Sequence, residues 1–245
     1  MSLRLNEPEL TFPATEVLAS AGTIVPATRP LPILVDPPHP LVHDQVEEPL
    51  VIVDHPRIIC LGNYRLAGWR NAVPHCLLRT SVADRLGWAA ESLPKRWGMA
   101  VFDGWRPHAL QAELYETAYD DPDLPPGFFA EPNDQPSTPS PHLTGGSVDL
   151  TLCLDGIPLA PGTGFDDLTP RAHATALENE PGVDRDVRRL LYHTMVAQGF
   201  VIFDGEWWHF EYGTRRWAAI TGQPPYYGPA VVPEGGVVGG PSDPN

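Results

Sequence analysis

Cysteine is scarce in this chain. Cys60, Cys76 and Cys153 are its three, an odd number with no CxxC spacing, so the sequence offers neither a disulfide framework nor a cysteine-built zinc site. They read as buried or unreactive thiols. Positive charge is scarce too: Lys+Arg number 16 against 31 for Asp+Glu, a net charge of -15. That balance leaves no basic surface for phosphate backbones, and nucleic acid and anionic membranes are not expected partners. Acidity says nothing further about substrate, because net charge bears on solubility and encounter rates rather than on chemistry. No apolar stretch approaches the ~20 residues of a membrane span, and the opening MSLRLNEPEL lacks the charged start and apolar run of a secretory signal. No membrane insertion is expected, and the expected location is the cytoplasm. No repeat of fixed period is visible, and nothing bears on oligomeric state.

Proline, by contrast, is abundant. The 30 prolines are more than twice the usual share of about 5%, so much of the chain must be irregular. Residues 1–50, with PPHP at 37–40, show no sustained periodicity and read as an extended arm. Residues 223–245, rich in Gly, Pro and Val, read as a mobile tail. Residues 51–222 between them form the expected domain. Ser81 is placed to cap a helix carrying Val82, Leu86, Ala89, Ala90, Leu93 and Trp97, which Pro94 must kink or end early. Met99 to Phe102 reads as a buried strand, and Pro107 opens a helix with Leu110, Leu114 and Ala118 inward. A proline-rich loop follows at 120–141, long enough for a functional role. Val148, Leu150, Leu152 and Leu154 alternate with Ser147, Asp149, Thr151 and Cys153, the pattern of a half-buried strand with Asp149 facing away from the leucines. Asp155-Gly156 signals a hairpin. Val187, Leu190, Leu191 and Met195 share a helical face, and 200–203 with 206–212 read as a second hairpin around Asp204-Gly205. The order of elements predicts an α+β domain on a largely antiparallel sheet, with helices packed on it and long Pro-rich loops.

The chemistry gathers in two segments. Ser140-Pro-His142-Leu-Thr-Gly145-Gly-Ser-Val-Asp149 puts a histidine before a glycine turn and an acid on the next strand, so the two can fold toward one point. Imidazole nitrogen and carboxylate oxygen both suit zinc at ~2.0–2.2 Å, and a catalytic zinc takes three protein ligands with one open position. Glu206-Trp-Trp-His209 supplies a second histidine, with an acid three residues before it. Cys153 cannot share the metal, since four residues of strand separate it from Asp149 by roughly 13 Å. On residues alone, a surface histidine in a loop and a core histidine in an aromatic hairpin remain open beside the metal site.

The SxHxxGxxxD run at 140–149, EWWH at 206–209 and DGWRP at 103–107 resemble the zinc D-alanyl-D-alanine dipeptidases, part of a wider group of D,D-carboxypeptidases and dipeptidases acting on cell-wall peptides. The likeness runs in order from about Arg57 to Tyr212 and includes MAVFDGWRP, DLTL, GTGFDD and RRLLYHTM. It implies one zinc per chain on His142, Asp149 and His209, with Glu206 moving the water proton. It implies Arg106 steadying the oxyanion, Asp166 receiving the free amine of a small peptide substrate, and Ser140 near its carboxylate. Two features depart from the pattern: Ile58 stands where a tyrosine is expected, and Thr144 where many relatives have a basic residue. A regular strand would also turn Glu206 and His209 to opposite faces, with Glu211 on the side of His209. The implied activity is hydrolysis of D-alanyl-D-alanine or a related D,D-dipeptide. The competing expectations are a D,D- or L,D-carboxypeptidase or endopeptidase on longer cell-wall peptides, and a non-catalytic zinc-containing binding module.

Overall fold

A computed structural model describes residues 9–120 and 130–232. In chain order the elements are β1 (Phe12–Pro13), α1 (Ala14–Ala21), β2 (Leu50–Ile52), β3 (Ile58–Cys60), α2 (Asn63–Leu66), β4 (Leu77–Arg79), α3 (Thr80–Ser92), β5 (Trp97–Asp103) and α4 (His108–Tyr119). They continue with β6 (Ser147–Leu154), β7 (Ile157–Ala160), α5 (Val183–Ala197), β8 (Val201–Ile202), β9 (His209–Glu211) and α6 (Arg215–Thr221).

Strand β6 is the hub of an α+β fold. It runs antiparallel to β5 on one side and, on the other, to β7 at its end and β9 at its start. β8 extends β9 antiparallel, β1 and β3 add to the sheet in parallel, and β2 with β4 makes a separate antiparallel pair. The leucine face of β6 is buried as its alternation requires, but so is the polar face, where Ser147 and Thr151 are fully enclosed. The expected half-buried strand is therefore a central one, and Asp149 lies inside the protein. The Asp155-Gly156 turn closes β6 onto β7 with both residues at positive φ, the geometry of a tight two-residue hairpin.

Helices α3 and α5 pack on each other and on the sheet, presenting Val82, Leu86, Ala89 and Ala90 on one and Val187, Leu191 and Met195 on the other. α3 begins at Thr80, so Ser81 does not cap it; its hydroxyl bonds Glu48 and Tyr227 instead. The helix stops at Ser92, ahead of Pro94, and Trp97 opens β5 rather than continuing the helical face. α4 starts directly after Pro107 with Leu110, Leu114 and Ala118 buried, as expected.

The two ends depart from their expectations. The arm contains α1, whose Ala14 and Leu18 are buried against the core, and Gly22 stops it in the left-handed region at φ 57°. Part of the described tail is packed: Tyr227 is buried with its hydroxyl on Glu48 at 2.7 Å, and Ala230 bonds Leu143 and Trp105, while Val231 is exposed. Residues 233–245 of the tail and 121–129 of the proline-rich loop lie outside the described residues. Among the described residues no helix is long and apolar enough to cross a membrane.

Candidate metal centre and its surroundings

His142 and Asp149 reach one point because a single 3-10 turn, His142–Thr144, ends at Gly145 and feeds straight into β6. Gly145 has φ 71°, and a Cβ there would stand 2.5 Å from Leu50 Cδ2, so the turn requires glycine on both counts. His209 arrives from the neighbouring strand as the cross-strand partner of Asp149. Its Nδ1 is 2.9 Å from Asp149 Oδ1. His142 Nε2 lies 3.2 Å from Asp149 Oδ2 and 3.2 Å from His209 Nδ1. All three residues are buried, with their ligand atoms within 4.8 Å of one another.

The outer nitrogens of both rings are committed. His142 Nδ1 donates to the Gly104 carbonyl at 2.7 Å, and His209 Nε2 donates to Glu211 at 3.0 Å. With both rings neutral, their lone pairs turn toward each other and toward a carboxylate, a repulsive arrangement until a proton or a metal cation stands between them. A tetrahedral ion bound at ~2.1 Å holds its donors roughly 3.4 Å apart, close to the spacing here. Electrostatics agree. Burial opposes charge on His209, yet the carboxylates of Asp149 and Glu211 push it up to about 10. The enclosure favours positive charge between these acids, and the donor set therefore fits a divalent metal.

Arg106 stands beside this centre in a fixed pose. Its Nε donates to Asp103 Oδ2 and Nη1 to Gln111 Oε1, both at 2.8 Å, while Nη2 faces the Tyr64 hydroxyl at 3.2 Å and Asp149 Oδ2 at 3.5 Å. A bulge in β5 between Val101 and Asp103 sets Asp103 opposite Asp149 and so aims the clamp at the centre. Burial works against the guanidinium charge, and Tyr64, Asp103 and Asp149 together hold its pKa above the ordinary arginine value. Asp166, at φ 55°, accepts the Tyr64 hydroxyl at 3.0 Å, so Tyr64 joins the acid to Arg106. Ser140 lies two residues before His142; its Oγ accepts the Asn133 amide at 3.0 Å and ties down the adjoining loop.

Glu206 is not on a strand. Residues 203–209 form consecutive turns, with Glu206 N on Phe203 O and His209 N on Glu206 O, and β9 begins only at His209. The expected second hairpin is thus much shorter than residues 200–212, and the strand-face conflict disappears: the turn swings Glu206 Oε2 to 3.8 Å from His209 Nδ1. Its side chain stays 35% exposed. Desolvation raises its pKa above the ordinary carboxylate value, opposed by His209 and reinforced by Asp149. Glu211 does share the face of His209 but is wholly buried, accepting from His209, Thr214 and Arg216. Burial would raise it, and the Arg216 charge with these bonds holds it well below the usual range.

Tyr64, Asp103, Gln111 and Arg216 were not singled out in the sequence. Asp103 lies inside the DGWRP motif and Gln111 four residues beyond it, whereas Tyr64 and Arg216 are brought in by tertiary packing. The three thiols are free, and Cys60 is exposed rather than buried.

A family model described as D-ala-D-ala dipeptidase, of the M15 peptidases, matches residues 69–221. The chain is 32% identical over 176 residues to a D-alanyl-D-alanine dipeptidase of Synechocystis sp., covering 58% of this chain and 71% of that one. It is 30% identical over 127 residues to a D-alanyl-D-alanine dipeptidase of Enterococcus faecalis, covering 47% and 62%. A solved vancomycin resistance D,D-dipeptidase, VanXYg, in complex with a D-Ala-D-Ala phosphinate analog, aligns over 71% of this chain and 59% of that one at 23% identity. Its TM-score is 0.40, too slight a likeness to build on.

Proposed function

The chain belongs to the D-ala-D-ala dipeptidase family of M15 peptidases, and from that premise we propose that it is a zinc-dependent hydrolase of D-alanyl-D-alanine or a closely related D,D-dipeptide. The observation that carries this is the convergence of His142, Asp149 and His209, with Glu206 Oε2 3.8 Å from His209 Nδ1 and Arg106 Nη2 3.5 Å from Asp149 Oδ2.

His142 Nε2, Asp149 and His209 Nδ1 would hold the ion. A zinc there supplies polarisation of the scissile carbonyl and lowers the pKa of water. Glu206 takes a proton from the attacking water and delivers it to the departing amine, so peptide plus water becomes two amino acids. Desolvation raises its pKa above the ordinary carboxylate value, which strengthens it as an acceptor of the water proton. Arg106, anchored by Asp103 and Gln111, directs Nη2 at the charge developing on the carbonyl oxygen, a preorganised contact worth ~3 kcal/mol or more. Asp166, held by Tyr64, pairs with the free ammonium of the dipeptide, and Ser140 lies toward the substrate carboxylate.

The test is substrate length. A carboxylate placed for an ammonium loses that charge partner when the amine is acylated, and the acyl group must be accommodated in its place. Free D,D-dipeptides should be cleaved and their N-acetylated forms poorly, with Asp166→Asn narrowing the gap. Equal or faster cleavage of N-acetylated peptides by the native protein would replace the dipeptidase with a carboxypeptidase of the same group.

A further inference from the structure

The bond network around His209 does not stop at Glu211. Arg216 reaches Glu211 with Nη1 and, with its other atoms, Asp36: Nε to Oδ1 at 3.1 Å and Nη2 to Oδ2 at 3.3 Å. The guanidinium lies over the Phe203 ring at 4.2 Å, and Phe203 in turn meets the His209 ring edge to face. Asp36 is itself steadied by His39 at 2.7 Å. Arg215 clamps the same stretch of arm through the carbonyls of Pro40 at 2.7 Å and His39 at 3.1 Å. A continuous series therefore runs Asp36, Arg216, Glu211, His209. Its far end comes from the proline-rich arm, well before the residues 69–221 that match the family model.

A ligating histidine whose outer N–H is held by a carboxylate is fixed in tautomer and orientation and made more basic, and loss of such a partner typically costs 10–100-fold in metal affinity. Glu211 is that partner. It is also a wholly buried anion, so its position depends on Arg216, and the fork of Arg216 is set from the other side by the two oxygens of Asp36. We infer that Asp36 of the arm is a positioning residue for the metal centre, acting through Arg216 and Glu211 on the orientation of His209. This rests on His209 being a metal ligand. It gives the arm a part in the site beyond packing on the domain.

The test measures zinc dissociation constants of the full-length chain by competition with a chromophoric chelator. Arg216→Met should weaken binding about 10-fold or more, and Asp36→Ala about 3-fold, being one step further out. Asp36→Glu should recover part of that loss. In the Arg216→Met background Asp36→Ala should cost nothing further, because the two act in series. Unchanged affinity in Asp36→Ala, or an undiminished loss in the Arg216→Met background, would overturn the inference. Asp36 is partly exposed, so its variant keeps the test open even if Arg216→Met fails to fold. A parent chain that binds no zinc defeats the proposed function instead. The proton resonance of His209 Nε2–H then decides the series separately: a shift on Asp36→Ala supports it, and an unmoved resonance refutes it.

Discussion

Glu206 stands three residues before His209 and Glu211 two residues after it, and replacing each by glutamine should separate proton transfer from scaffolding. Glu206 lies in a turn, partly exposed, 3.8 Å from His209 Nδ1. Glutamine fits the same space but cannot accept the proton of water, and loss of a general base typically costs 10²–10⁴-fold, or about 3–5 kcal/mol on the barrier. Because desolvation destabilises this carboxylate in the fold, the neutral amide should leave the unfolding midpoint equal or higher. Glu211→Gln should do the opposite. It removes the charge that neutralises Arg216 inside the protein, a loss of about 3 kcal/mol at the low end for a buried pair, since Asp36 still faces the guanidinium. A domain stable by ~5–15 kcal/mol survives that and still folds. The assay is kcat on D-Ala-D-Ala at saturating zinc and substrate, beside urea unfolding of the metal-free proteins. Glu206→Gln should lose turnover and keep stability, whereas Glu211→Gln should lose stability and keep most turnover once loaded. The reverse pattern would make Glu211 the base and refute the assignment.

Arg106→Lys should lower kcat/KM ~10²-fold or more, because a single ammonium cannot hold Asp103 and Gln111 and also reach the reacting oxygen; activity within a few-fold of the parent would show that the fork is not needed. Gly104→Ala should cost about 1–3 kcal/mol in unfolding measurements and weaken zinc binding, since its Cβ would meet Leu77 O at 2.7 Å and displace the carbonyl that orients His142; a silent variant would contradict the close packing. Glu178 bonds Arg189 and the Leu31 amide of the arm, and that arginine holds its pKa below the ordinary 4.5. A lowered folded-state pKa gives stability that is present above the unfolded value and lost as pH falls below it. Proteolysis near residue 31 should therefore accelerate below about pH 4.5 in the parent. In Glu178→Ala it should be fast at neutral pH as well.

What could be read before folding was whatever local pattern decides. The alternation of 147–154, the Asp155-Gly156 turn, Pro107 as a helix start and the histidine, glycine and aspartate spacing of 142–149 are all short-range facts, and each element forms in the structure, although 147–154 is buried on both faces rather than one. Helix α1 was missed because its eight residues among prolines bury only Ala14 and Leu18, too short a face to register as a period. Glu206 seemed misplaced because the aromatic run Trp207-Trp208 imitates a strand, whereas both rings pack into the core from a turn. Tyr64 meets Arg106 across a separation of 42 residues, while Gln111, five residues from Arg106, reaches it from the first turn of α4, a contact that no motif signals. Asp36 carries no local sign of its role, since its partner is 180 residues away.

The central claim is a metal-dependent D,D-dipeptidase built on His142, Asp149 and His209. Its most direct test is to strip the protein with chelator, titrate zinc back and follow free D-alanine from D-Ala-D-Ala together with bound metal. Activity should rise linearly and saturate at one zinc per chain. His142→Ala and His209→Ala variants, folded by circular dichroism, should bind zinc weakly and release no D-alanine. Full activity without metal, or tight stoichiometric zinc retained when both histidines are replaced, would contradict it.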